Sequence, residues 1–156
     1  MTFWRMQLHP ADAESSIKHC VESLAAGYVG LDFEEDVGDL LIQENRQRIP
    51  SKHKDFLGFS DEMKPGDHVL IISHHFPFAL ARVKGEYNFI KHRATELGIW
   101  FRHFREVECV YYYADRVTNP KNWEMLTMTD TISPLRNAEK ASYRLIDAWL
   151  SDVSHI

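Results

Sequence analysis

Cysteine is nearly missing: Cys20 and Cys109 are the only two in 156 residues, and they form no CxxC pair. A disulfide framework and a cysteine zinc site are therefore not expected, and this usage suits a reducing compartment. No apolar run approaches the ~20 residues of a membrane span. The opening Met1-Thr2-Phe3-Trp4-Arg5 has no signal-peptide layout. The expected location is cytoplasmic, with no membrane partner. Catalytic signatures are missing too. There is no GxxxxGK[ST] or GxGxxG phosphate loop, no GxSxG elbow, no HExxH, and no HxE followed by CxxC. No catalytic residue, metal or cofactor is expected, and no internal repeat or low-complexity segment is visible.

What is present is ordinary in bulk and uneven in detail. A hydrophobic fraction of 44% and a charged fraction of 26% describe a globular chain. Its length suits one domain spanning 1–156 with a real core. The net charge of −5 opposes non-specific binding to phosphates. The charge is not evenly spread, however. Asp32 to Arg46 carries six acids and one base, whereas Lys84 to Arg105 carries five bases and two acids. A local basic face on an acidic domain is compatible with that split.

Periodicity and breakers predict a mixed α+β chain. Phe3–Leu8 reads as a strand ended by His9-Pro10, and Ala11–Ala26 as a helix with Ile17, Cys20, Val21 and Leu24 on its apolar side. Tyr28–Phe33 reads as a strand. The acidic segment after it reads as a helix to about Gln47, with Val37, Leu40 and Leu41 as its apolar side, because acids favour a helix N-terminus. His53–Met63 suits a short helix. Lys64-Pro65-Gly66-Asp67 is a turn that launches strands at His68–Ser73 and Phe78–Val83, and Gly85 is a candidate bulge. Ile99–Tyr113 supplies one long bent strand or two short ones. Asn119–Asn122 is a loop, Thr131–Pro134 a strand signal, and Ala138–Leu150 a helix with Ala138, Ser142, Leu145, Ile146 and Trp149 on one stripe. Strands cluster in the middle and do not alternate with long helices, which argues against a doubly wound sheet.

The stretch Gly98–Tyr113, GIWFRHFREVECVYYY, interleaves aromatics with cations. On a strand, Trp100, Arg102 and Phe104 share one face and Phe101, His103 and Arg105 the other. One face can build a core while the other offers stacking planes and charge to a base and its phosphates. The plainer reading is a core strand with a solvated basic face. The nine histidines show no ligand spacing. His74 and His75 are neighbours, and neighbours on a strand point to opposite faces. Cys20 and Cys109 read as packed thiols. What remains is an aromatic surplus at strand ends: Trp4, Tyr28, Tyr87, Phe89, Trp100 and Tyr111–Tyr113.

The pieces FWRMQLHP at 3–10, GYVGLDF at 27–33, MKPGDHVLI at 63–71, FALARVKGEY at 78–87 and GIWFRHFREV at 98–107 follow one another in a way that resembles the EVE branch of the PUA-like superfamily. That branch is related to YTH readers and serves as the DNA-recognition module of McrB-type, modification-dependent restriction proteins. The resemblance implies an α+β fold: a PUA-like bent β-barrel of about five or six strands flanked by helices. It also implies a non-enzymatic reader that flips a modified base (methylated or hydroxymethylated cytosine, or methyladenine) into an aromatic pocket. Flipping costs a few kcal/mol, and stacking returns about 1–3 kcal/mol per base. Position by position, Tyr28, Asp32, Tyr87, Phe89, Trp100 and Trp4 become the base pocket, with Asp32 accepting from an exocyclic amine. Arg102, Arg105, His74, His75 and Lys84 become the phosphate contacts. The implied partners are double-stranded DNA carrying a modified base and other domains or subunits of a restriction complex, with 1–156 as the N-terminal recognition domain of a longer protein. Two other readings stand beside this one. One is a PUA-like RNA-binding module. The other is a small-molecule or nucleotide-binding enzyme using His75 or His103 as acid or base.

Overall fold

The structure is a computed structural model that describes residues 1–8, 16–116, 123, 125–128 and 130–154. The expected strand end at His9-Pro10, the helix start at 11–15 and the loop at 119–122 lie outside the described residues. The expected mixed α+β character is present, in a sheet curled into a half-barrel. The elements run β1 (Phe3–Met6), α1 (Ser16–Ala26), β2 (Tyr28–Leu31), α2 (Gln43–Arg46), α3 (Phe56–Asp61), β3 (His68–Ser73), β4 (Phe76–Val83), β5 (Asn88–Phe89), β6 (His103–Tyr112), α4 (Tyr113–Arg116), β7 (Ile132–Leu135) and α5 (Ala141–Val153). The sheet order is β2-β6-β4-β3-β1-β7, with β5 paired to β6. Among the described residues, β1–β3 is the one parallel pair.

Two clusters cover the two sides of the sheet. One gathers Trp4, Met6, Leu31, Phe33, Phe56, Phe59, Val69, Ile71 and Tyr87. The other sets α5, through Leu145, Ile146 and Trp149, against Phe3, Leu70 and Ile72. The expected α5 stripe is buried at Ser142, Leu145, Ile146 and Trp149, whereas Ala138, also expected on it, lies ahead of the helix and is exposed. On α1 the buried stripe is narrower than periodicity suggests: Cys20, Ser23 and Leu24 are buried, while Ile17 and Val21 are exposed. Cys20 is the packed thiol expected of it, and burial pushes it up to about 12.

The largest departure is the acidic segment. In place of a helix from Glu34, residues 32–42 form a loop, and α2 has only 4 residues. The acids cap turns instead. Asp36 Oδ1 accepts the Gly38 N–H and Asp39 Oδ1 accepts the Leu41 N–H, both at 2.9 Å. These local bonds offer the backbone an alternative to a helix, and Gly38 sits at φ +81°.

β6 begins at His103 rather than Ile99; residues 95–97 are a 3-10 turn. The anticipated alternation still holds, since Phe101, His103 and Arg105 are all buried. Gly30 explains the tight join of β2 to this segment. A Cβ there would lie 2.5 Å from the His103 carbonyl oxygen and 2.7 Å from Phe101 Cβ. Gly30→Ala therefore forces β2 away from β6. A loss of about 1–3 kcal/mol in the urea midpoint is expected, the usual cost of overpacking.

Candidate nucleobase pocket

His103 opens β6 and is 0% exposed. Its neighbours are rings drawn from separate stretches of chain. Phe33, just after β2, stands edge-to-face to it at 5.3 Å. Tyr87, ahead of β5, lies nearly parallel at 5.9 Å, and Phe89 is tilted at 5.2 Å. Phe33 extends the nest to Phe56 at 4.8 Å and His53 at 6.0 Å, and these two pack on each other at 4.7 Å. His53 ends a 3-10 turn at Ser51–His53 and Phe56 starts α3. Phe33 and His53 also line a cavity of about 180 Å³, together with the acids Glu34 and Glu35, the bases Arg48 and Lys52, and Val37 and Pro50. That is below the ~300–1,000 Å³ typical of drug-sized ligands. It suits one planar ring rather than a whole nucleotide.

Polar groups in the nest are few. Tyr87 Oη lies 2.7 Å from His103 Nδ1 and accepts the Leu40 N–H at 3.0 Å. Burial pushes the Tyr87 phenol up and the His103 imidazole down from 6.5 to about 4, so the imidazole is neutral at pH 7. His103 Nε2 is buried with no hydrogen-bond partner among the described residues.

Arginines pin the loop that carries Phe33. Asp32 Oδ1 accepts from Arg102 Nε at 2.7 Å and from the Phe33 N–H at 2.9 Å. Asp32 Oδ2 accepts from Arg93 NH2 at 2.8 Å and from the Arg102 N–H at 3.3 Å. Arg102 also bonds the Phe33 carbonyl at 2.9 Å, and Arg48 bonds the Val37 carbonyl at 2.7 Å.

The sequence-derived site residues are dispersed in the fold. Tyr87 and Phe89 meet at the nest. Asp32 stands beside it, but both its oxygens are already engaged, so it is a loop anchor rather than a free acceptor for an amine. Tyr28 lies edge-to-face to Phe104 at 5.5 Å. Trp100 packs on α1, stacked on His19 at 4.1 Å with Lys18 Nζ at 5.7 Å from its ring. Those rings are in contact and leave no gap for a third. Trp4 is buried in the core, its Nε1 donating to Asp67 at 3.0 Å.

The expected phosphate contacts divide similarly. Arg105 is 1% exposed and donates to the carbonyls of Phe59, Gly85 and Ser60, so it cannot reach a phosphate. Arg102 serves the Asp32 loop, and Lys84 faces Glu106 at 3.3 Å. His74 and His75 form the β3–β4 hairpin tip, both with positive φ. Ala79 pairs with Tyr112, so that tip belongs to the far end of β6 from His103. Sequence reasoning did not single out Phe33, His53 and Phe56, which pack around His103, or Lys52, which lines the cavity. The piece GYVGLDF was the available signal for Phe33, and His53-x-x-Phe56 at helical spacing for the other pair.

A second hollow of about 260 Å³ lies between β6 and α5, lined by Tyr111, Tyr112, Arg116 and Trp149 among others. Its cation is tied down: Arg116 pairs with Asp152 and lies over the Trp149 ring. Among the described residues, no group of three or more His, Cys, Asp or Glu is placed to hold a metal. No helix there is long and apolar enough to cross a membrane.

A family model described as "Domain of unknown function (DUF8426)" matches residues 4–136. The chain belongs to that family. No curated protein matches this DUF8426 chain. Among solved structures, it is similar to the YTH domain of the Zygosaccharomyces rouxii MRB1 protein, crystallised in complex with N6-methyladenosine RNA. The two share 13% identity at a TM-score of 0.46, over 94% of this chain and 85% of that chain.

Proposed function

We propose that this domain is a binding module that holds one modified nucleobase, turned out of its strand, in the aromatic nest around His103. The nest is the reason: rings from separate segments surround a buried ring nitrogen that lacks a partner, beside a cavity sized for one planar ring. Stacking worth about 1–3 kcal/mol per base offsets the cost of flipping. A methyl group against Phe33 or Val37 would add about 1 kcal/mol. Lys52, exposed on the cavity wall beside Glu34 and Glu35, is the proposed phosphate contact.

The resemblance to EVE modules supports the finer parts of the proposal. These are a PUA-like sheet, DNA as the strand, and service as the recognition domain of a longer modification-dependent restriction protein. In that setting other domains or subunits would cut the DNA.

Fluorescence anisotropy at one fixed salt concentration tests the proposal. The probes are matched duplexes carrying cytosine, 5-methylcytosine, 5-hydroxymethylcytosine, adenine or N6-methyladenine, and single-stranded RNA with adenine or N6-methyladenine. At least about tenfold tighter binding of one modified strand than of its unmodified control is expected, about 1.4 kcal/mol. His53→Ala should erase most of that preference. Equal, weak affinity for every strand contradicts base reading, and preference confined to RNA moves the assignment from DNA to RNA.

A further inference from the structure

We infer that the Nε2–H of His103 is the directional hydrogen-bond donor of the nest, and that it selects a base presenting an unprotonated ring nitrogen, as cytosine N3 or adenine N1 does. This rests on the base-reading proposal above and adds to it the edge of the base that is recognised.

Proton accounting leads there. Tyr87 Oη accepts the Leu40 N–H and lies 2.7 Å from His103 Nδ1. A phenol has one proton to give. Were the imidazole hydrogen on Nδ1, the Tyr87 proton would have no acceptor at a residue 7% exposed. The arrangement that strands neither has Tyr87 donating to Nδ1. A neutral imidazole then keeps its one hydrogen on Nε2. The depressed basicity of the ring supports the neutral form.

This leaves a buried N–H with no partner, packed among the rings of Phe33 and Phe89, which carry no conventional acceptor. Native proteins satisfy nearly all buried donors, so an orphan one points to a missing partner. Phe33 packs edge-to-face on His103 and also lines the cavity, so a base in the cavity must displace that ring to reach the donor. An acceptor nitrogen on the base satisfies the donor. Guanine N1–H and thymine or uracil N3–H would oppose it, donor against donor, which is the strong form of discrimination available to a buried polar group.

A chemical double-mutant cycle tests the inference. Wild type and His103→Phe are titrated with a 5-methylcytosine duplex and its 3-deaza-5-methylcytosine counterpart. The same is done with an N6-methyladenine strand and its 1-deaza counterpart. Wild type should bind the better parent strand at least tenfold more tightly than its deaza twin, and His103→Phe should bind the two alike. Indifference of wild type to the deaza change, with its preference for modified over unmodified strands intact, overturns the donor role and spares base reading. No preference for any modified strand overturns both. Long-range ¹H–¹⁵N correlation spectra of the free protein give a second readout that needs no variant to fold. They should show His103 protonated at Nε2, and protonation at Nδ1 overturns the inference outright.

Discussion

Arg105→Met is expected to lower the unfolding free energy by about 3–5 kcal/mol, because two buried carbonyls and one half-buried carbonyl lose their donor at once. For a domain of this size that is a drop of about 10 °C in the thermal midpoint. Arg105 is fully buried, and its bonds run to Phe59 O at 2.9 Å, Gly85 O at 3.0 Å and Ser60 O at 3.4 Å. Its guanidinium also lies over the Phe59 ring at 5.6 Å. Those bonds tie the end of α3 to the turn that delivers Tyr87, so the arginine supports the nest from behind. Arg105→Lys separates this role from phosphate binding. A lysine keeps the charge but not the fork. If the residue is a structural clamp, lysine restores little stability and calorimetry shows a midpoint close to that of methionine. If it were a phosphate contact, both variants would melt like wild type and only binding would suffer.

Acidification should weaken the fold through His103, and His103→Phe should remove that dependence. Burial is the main cause of the depressed ring basicity, with Asp32, Asp36 and Asp39 opposing it and Arg102 adding to it. The folded value, about 4, lies below the usual 6.5, so the unfolded chain takes up the proton first as pH falls. Stability from this group is complete above about 6.5 and drains away as pH drops towards about 4. The full swing is about 3 kcal/mol, from 1.36 kcal/mol per pH unit. Urea titrations of the two proteins across this window check it. The gap between them should narrow or reverse by about 3 kcal/mol as pH falls. Parallel pH profiles would mean that His103 does not titrate in a buried site.

Much of the framework was legible from local pattern. Strand β3 followed from the turn at Lys64-Pro65-Gly66-Asp67 and its buried-type composition, and all residues from Val69 to Ser73 are buried. The stripe of α5 followed from its spacing. Alternation correctly grouped Phe101, His103 and Arg105, but it could not say that a cation would be the buried member. The partners that make this tolerable are carbonyls 46, 45 and 20 residues away. The acidic loop was misread for a related reason. Glu34-Glu35-Asp36 suits a helix start by charge, yet Asp36 and Asp39 each close a turn two residues ahead.

The pocket was legible only in part. The resemblance pointed to Tyr87 and Phe89 through the piece FALARVKGEY and the residues after it, and both rings pack against His103. Trp100 was expected from its place in the piece GIWFRHFREV, but its ring stacks on His19 of α1. His103 had no neighbour in sequence to mark it. Its importance comes from Tyr87, 16 residues away, and from Phe33 across the β2–β6 pair.

The most direct measurement is an aromatic ¹H–¹³C spectrum of the protein titrated with the modified strand it binds best. Base capture in the nest predicts that the largest shifts fall on Phe33, His53, Phe89 and His103, with slow exchange at those signals and little change with the unmodified strand. Shifts confined to Tyr111, Tyr112 and Trp149, or spread evenly over the surface with both strands, would contradict it.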